Sequence, residues 1–137
     1  MIILDTNVVS ELMRAVPDPT VAAWAVNADP DMCVTALTVA EIRYGIARLP
    51  EGQRKHDIMA AANKLLTAFA QRIVPFDLTA ATRYGDLVAD REANGRPISV
   101  FDAQIAAVCQ ARSATLATRN AKDFEDTGVT VVDPWSR

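Results

Sequence analysis

Residues 98–117 read ISVFDAQIAAVCQARSATLA, and this stretch decides the fold. Phe101, Ile105, Val108 and Cys109 fall on one stripe at helical spacing, so the first part reads as an amphipathic helix. Thr115-Leu116-Ala117 then follows as a run too short and too apolar for a further helix, and reads as a buried strand. A helix feeding a short apolar strand is half of a parallel β-α-β unit. The chain repeats that alternation on both sides of the stretch.

Upstream, Ile2-Ile3-Leu4 reads as a first strand and Thr6 to Met13 as a short helix. Asp18-Pro19 starts another helix, with Asp18 as N-cap and Pro19 at the first helical position, and it runs to about Asn27. Met32-Cys33-Val34 is a second strand. Val39, Ile42, Ile46 and Leu49 stripe a third helix that Pro50 and Gly52 punctuate. Ile58, Ala62, Leu65, Leu66 and Phe69 share a face of a longer helix. Ile73-Val74-Pro75-Phe76 reads as a strand with its proline at an end or edge. A helix over about Thr79–Ala93 closes at Gly95, and Val129–Val132 is the last strand. The pattern predicts an α/β protein: one three-layer α/β/α domain over residues 1–137, built on a parallel sheet of short strands.

Length and composition agree with this. A chain of 137 residues fits one domain, and half of its residues are hydrophobic, enough for a core without staples. Cys33 and Cys109 sit in apolar runs without metal-ligand spacing, so they read as core thiols rather than a disulfide. The start of the chain has no basic or long apolar leader, and no window reaches the ~20 apolar residues of a membrane helix. A cytoplasmic protein that does not enter the membrane is expected. With 14 basic and 17 acidic residues the net charge is −3, which argues against general coating of nucleic acid. It leaves room for an enzyme whose acids gather in one cleft.

Ligands of such sheets bind beyond the carboxyl ends of the strands, and acids stand at those places. Asp5 follows the first strand directly; Glu41 lies just beyond the second; Asp102 opens the striped helix; Asp123 follows Thr115–Ala117. Each has a plain helix-starting explanation. Thr38 with Glu41, Ser99 with Asp102 and Asn120 with Asp123 are capping-box patterns, and Asp5 is an acceptable N-cap. Two considerations favour chemistry. The acids recur at matching places in successive units, so the fold would bring them to one sheet edge. Asp102 also shares its face with Ile105, Ala106 and Cys109, where an unpaired carboxylate would cost several kcal/mol. Clustered carboxylates repel unless a cation neutralises them, and hard oxygen donors suit Mg²⁺ or Mn²⁺.

Other chemistries lack their parts. His56 is the only histidine, which excludes a two-histidine ribonuclease mechanism. No Gly-x-Ser-x-Gly elbow, phosphate-cradling Gly-x-x-x-x-Gly-Lys-Ser/Thr or Gly-x-Gly-x-x-Gly occurs. Metal-assisted hydrolysis is what remains for an enzyme.

Leu4-Asp5-Thr6-Asn7, Thr38-Val39-Ala40-Glu41-Ile42, Asp102-Ala103-Gln104-Ile105-Ala106 and Thr118-Arg119-Asn120-Ala121-Lys122-Asp123-Phe124 resemble, in order, the four signature segments of PIN domains. Val132-Asp133-Pro134-Trp135 is similar to the tail of the VapC and FitB-like members. This resemblance implies a Mg²⁺- or Mn²⁺-dependent endoribonuclease toxin of a type II toxin–antitoxin pair, acting on RNA. It further implies a homodimer, neutralised by a cognate VapB-like antitoxin and meeting promoter DNA only through that antitoxin. Asp5, Glu41 and Asp102 inherit the acidic metal site as catalytic residues. Some relatives carry Asp where Asn120 stands, so either Asn120 or Asp123 fills the fourth position.

Thr6 and Asn7 are supporting candidates that would orient Asp5 or touch a phosphate, or would simply start a helix. Thr38 could hydrogen-bond near the metal, and reads chiefly as a cap. Arg43, Arg83, Arg96 and Arg119 are the arginines that could hold RNA phosphates, against an ordinary solvated reading for each. Trp24 and Trp135 could stack bases, and read better as packing. Hydrolysis at such a site would leave 5′-phosphate and 3′-hydroxyl ends. Two alternatives stand beside it: a PIN-like protein-binding module without turnover, and a haloacid-dehalogenase-like phosphatase with Asp5 as nucleophile. The latter class expects a second Asp where this chain has Asn7.

Overall fold

A computed structural model describes residues 1–136. The strands are β1 (Ile2–Leu4), β2 (Met32–Thr35), β3 (Ile73–Val74), β4 (Thr115–Ala117) and β5 (Val131–Val132). The helices are α1 (Thr6–Leu12), α2 (Pro19–Ala28), α3 (Ala36–Ala47), α4 (Gln53–Ala68), α5 (Leu78–Ala93) and α6 (Val100–Arg112). All strand pairs are parallel, in the order β3-β2-β1-β4-β5.

Side-chain alternation along the strands divides the core in two. Ile3 and Leu116 face α5 and α6, in a cluster with Leu87, Ile105, Val108 and Phe124. Leu4, Val34 and Ala117 face the other way, with Val8, Val9, Ile42, Ile46, Ala62 and Phe69 from α1, α3 and α4. Because both faces are covered, the strands read as unbroken apolar runs rather than as alternating ones. The expected α/β/α layering is what the chain adopts.

Two strands are shorter than their sequences predict. β3 stops at Val74, before Pro75, which has no N–H to give to a ladder. β5 begins only at Val131, after a turn in which Gly128 has φ +72° and the Val129 N–H donates to Thr127 Oγ1. The cap at α3 also differs. Thr35, not Thr38, is the N-cap, its Oγ1 accepting from the Thr38 N–H at 3.1 Å. Thr38 therefore lies in the first turn of α3 with its side chain buried. At α6 the cap is the expected one: Ser99 Oγ accepts from the Asp102 N–H at 3.2 Å. Asn120 makes no side-chain cap, and Asp123 lies in a short 3₁₀ turn (Ala121–Phe124).

The two cysteines are free. Cys109 is buried, and burial pushes its thiol up to about 12, which makes it a packing residue and no nucleophile. Cys33 is only half-buried, less enclosed than its apolar setting predicts. No helix among the described residues is long and apolar enough to cross a membrane.

Candidate active site

The sheet changes winding direction at β1: β2 and β3 extend it on one side, β4 and β5 on the other. The carboxyl ends of β1 and β4 lie side by side there, and the Asp5 N–H donates to the Ala117 carbonyl at 2.9 Å. A cleft of about 810 Å³ opens at this edge, and Asp5, Glu41 and Asp102 all line it.

Asp5 is the buried member, at 4% exposure. Its Oδ1 accepts from the Thr6 N–H at 2.8 Å, the capping contact read from sequence. Its Oδ2 accepts from the Thr118 hydroxyl at 2.8 Å, and the Asn7 amide approaches at 3.5 Å. Glu41 reaches the cleft from the outer face of α3, and Asp102 from the first turn of α6, half-buried.

All three carboxyl groups are held above the ordinary carboxylate range, and burial is the first cause in each. For Asp5, the Thr118 and Thr6 hydrogen bonds work against the rise, and the charge of Asp123 adds to it. For Glu41, a hydrogen bond from Thr6 opposes burial, while Asp5 repels. Asp102 is repelled by Asp5, Asp123 and Glu41. The acids sense one another, as carboxylates sharing a site do. Among the described residues no three Asp, Glu, His or Cys side chains are already gathered closely enough to cage an ion.

The supporting residues divide. Thr6 and Asn7 line the cleft, and Asn7 ties α1 to the segment after β4: its Nδ2 donates to Thr118 Oγ1 at 3.3 Å and its Oδ1 accepts from the Arg119 N–H at 3.2 Å. Thr38 is no cap; its buried Oγ1 accepts from Thr6 Oγ1 at 3.2 Å. Asn120 lines the cleft, while exposed Asp123 does not and acts on it through charge alone. Of the four arginines, only Arg119 lines the cleft. Arg43 donates to Asn63, Arg96 pairs with Glu125 and Asp126, and Arg83 borders a separate hollow near the start of β4. Trp24 packs on the core, as expected; Trp135 both packs and lines the cleft. His56 is exposed on α4, outside the cleft.

Three contributors escaped the sequence reading. Glu11 lines the cleft although 8% exposed, its carboxylate taken by Arg14 at 3.0 Å and the Asp18 N–H at 3.1 Å. Buried Arg91 of α5 donates to the carbonyls of Arg96, Asp123 and Glu125, and so ties down the turn that carries Asn120 and Asp123. Thr118 is fully buried, and its hydroxyl serves Asp5, Asn7 and the Asn120 N–H together. A threonine just after a strand carries no sequence signal of such a role.

Thr118→Val keeps the shape and removes the hydroxyl. It leaves Asp5 Oδ2 with only the distant Asn7 amide and takes the acceptor from Asn7 Nδ2 and the Asn120 N–H, so urea denaturation should show a loss of about 1–3 kcal/mol. The Asp5 carboxyl should rise further, because the bond that favours its ionised form is gone.

A PIN domain model matches residues 2–129. VapC ribonuclease Y4jK of Sinorhizobium fredii is 41% identical, covering 98% of each chain. Toxin FitB of Neisseria gonorrhoeae is 38% identical over 98% of this chain and 99% of its own. A structure of FitAB bound to an IR36 DNA fragment superposes with a TM-score of 0.92 at 37% identity, covering 100% of this chain and 97% of that one.

Proposed function

This chain belongs to the PIN-domain family, and on that premise we propose that it is an endoribonuclease toxin acting through Asp5, Glu41 and Asp102. The observation that carries the proposal is the convergence of these carboxylates on one cleft at the switch point of the sheet. The relatives support the activity: one is named a VapC ribonuclease and another a toxin. The FitAB complex bound to a DNA fragment supports an antitoxin partner, and we propose that this chain meets promoter DNA only through it. The cytoplasm, where RNA and antitoxin both reside, is the proposed compartment. A homodimer of one-domain chains over residues 1–137 completes the proposal, read by sedimentation equilibrium.

The chemistry of the donors, hard carboxylate oxygens on one cleft, suits a divalent cation. Three hard oxygen donors whose ionised forms are disfavoured by burial and mutual repulsion match Mg²⁺ or Mn²⁺ better than a softer metal. Asp5, Asp102 and Glu41 would hold it. When bound, it would supply charge neutralisation at the scissile phosphate and a lowered pKa for the attacking water. The chain's own residues do the positioning. Thr118 and the Thr6 N–H fix the rotamer of Asp5. Asn7 locks the segment after β4 against α1, which sets the distance between Asp5 and the Arg119–Asn120 rim. Thr38 meets the Thr6 hydroxyl from α3 and so holds Thr6 beside Glu41. Glu41, the most exposed acid, is placed to orient the incoming water or to complete the ligand set. Asn120 is favoured over Asp123 for the fourth position, because it lines the cleft.

Digestion of total RNA with the purified protein in Mg²⁺ tests this, with mapped 5′ ends. The expected result is new 5′-phosphate ends that disappear with EDTA and return with excess Mg²⁺ or Mn²⁺. Cleavage that persists in EDTA would remove the metal from the mechanism.

A further inference from the structure

The cleft is lined by four carboxylates, Asp5, Glu11, Glu41 and Asp102, and by only two arginines. An RNA strand brings further negative charge, so some cation of the protein must receive its backbone. Arg14 is already engaged: its Nη1 lies 3.0 and 3.4 Å from the two oxygens of Glu11. Arg119 has no carboxylate partner among the described residues. Its guanidinium carbon lies 4.9 Å from the centroid of the Trp135 ring.

That stack is anchored at both ends. The Trp135 backbone N–H donates to Asp133 Oδ1 at 2.9 Å, and its side chain packs on the core cluster of Leu4 and Ala117. The Arg119 N–H donates to Asn7, the residue that also bridges Thr118 and Asp5. A guanidinium lying on an aromatic face keeps its in-plane N–H donors directed outward, in the fork that matches two phosphate oxygens. We infer that Arg119, held over the face of Trp135, is the phosphate-binding residue of the cleft and grips the RNA backbone beside the scissile bond. The inference rests on the ribonuclease reading and adds to it the residue that holds the RNA backbone in the cleft.

The test compares the wild type with Arg119→Gln, Arg119→Lys and Trp135→Leu. kcat and KM are measured in Mg²⁺ on a mixed-sequence single-stranded RNA oligonucleotide over a range of KCl, with anisotropy of the same RNA in EDTA alongside. Arg119→Gln should raise KM about tenfold with kcat nearly unchanged, the pattern of lost uniform binding. It should also flatten the salt dependence by about 0.7 in slope, one phosphate contact on a single strand. Arg119→Lys should keep the slope and recover only part of the affinity, since lysine lacks the stacked fork. Trp135→Leu should weaken binding with the slope intact. Arg119 is exposed, so the glutamine variant should melt like the wild type. A glutamine variant with wild-type KM and slope overturns the clamp and leaves the nuclease standing. A wild type that binds this RNA without cutting it overturns the nuclease, and the anisotropy slopes then decide the clamp. A wild type that does neither overturns both.

Discussion

Asp5→Asn and Asp102→Asn are each expected to lower RNA cleavage by about a thousandfold or more, roughly 4 kcal/mol of barrier, while the metal-free fold becomes no less stable. The two effects separate catalysis from capping. An asparagine at position 5 still accepts from the Thr6 N–H but puts an NH2 where the Thr118 hydroxyl found an acceptor, a cost set against the relief of the buried charge, and at position 102 it leaves the Ser99 cap untouched, because that bond uses the backbone. What is lost is ligand charge. What is gained is relief from burying a carboxylate among its own kind. The folded pKa of Asp5 is raised, so its protonated form is favoured in the native state. Its contribution to stability is fully present below the ordinary carboxylate pKa and is lost as pH rises through the raised folded value. Metal-free wild type should therefore lose stability as pH climbs from that acid range to neutrality, and Asp5→Asn should flatten the decline. Near neutral pH a gain on the order of 1 kcal/mol would appear as roughly 3 °C in Tm for a domain of this size. Loss of folding in both variants, or full retention of cleavage, would return the acids to the role of helix starters.

The sequence carried much of this arrangement for a physical reason. A strand buried on both faces must be apolar throughout, so Ile2–Leu4, Met32–Val34 and Thr115–Ala117 announce themselves, and the polar residue ending each one marks the sheet edge. The acids at that edge were legible by the same logic. Their partners were not. Thr38 looks like a cap because Thr-x-x-Glu is a capping pattern, yet β2 runs on to Thr35, which takes the cap and turns Thr38 inward. Thr118 joins Asp5 across 113 positions of chain, and the Asn7 contact to Arg119 spans 112. Arg91 looks like one more solvated arginine of α5 until the turn after β4 folds over it. Contacts of this kind depend on strand order, which periodicity does not specify. The same limit applies to the arginines. Composition cannot say which are paired, and here pairing or placement away from the cleft leaves Arg119 as the one without an acid partner there.

Expression of the soluble chain without its antitoxin should arrest growth, and co-expression of the neighbouring gene product should restore it. The acidic cleft explains both halves. A ribonuclease free among its host's RNA does damage, so it must be held in check, and a partner that blocks the cleft would do so. The surface offered to an inhibitor is dominated by carboxylates with raised pKa values, and the complement of such a surface is a basic side chain. Arginine fits best, since its planar fork can satisfy two carboxylates at once and supply the charge that a cation would otherwise bring. An antitoxin tail carrying it would neutralise the site and exclude the metal in one contact, so added Mg²⁺ and antitoxin should compete in a cleavage assay. The Asp5→Asn chain decides what the arrest is due to. If cleavage is the cause, this variant should accumulate without harm while still binding its antitoxin through the surface outside the cleft. A variant as harmful as the wild type would mean that growth stops because the chain captures a partner, and the protein-binding reading would then replace the nuclease.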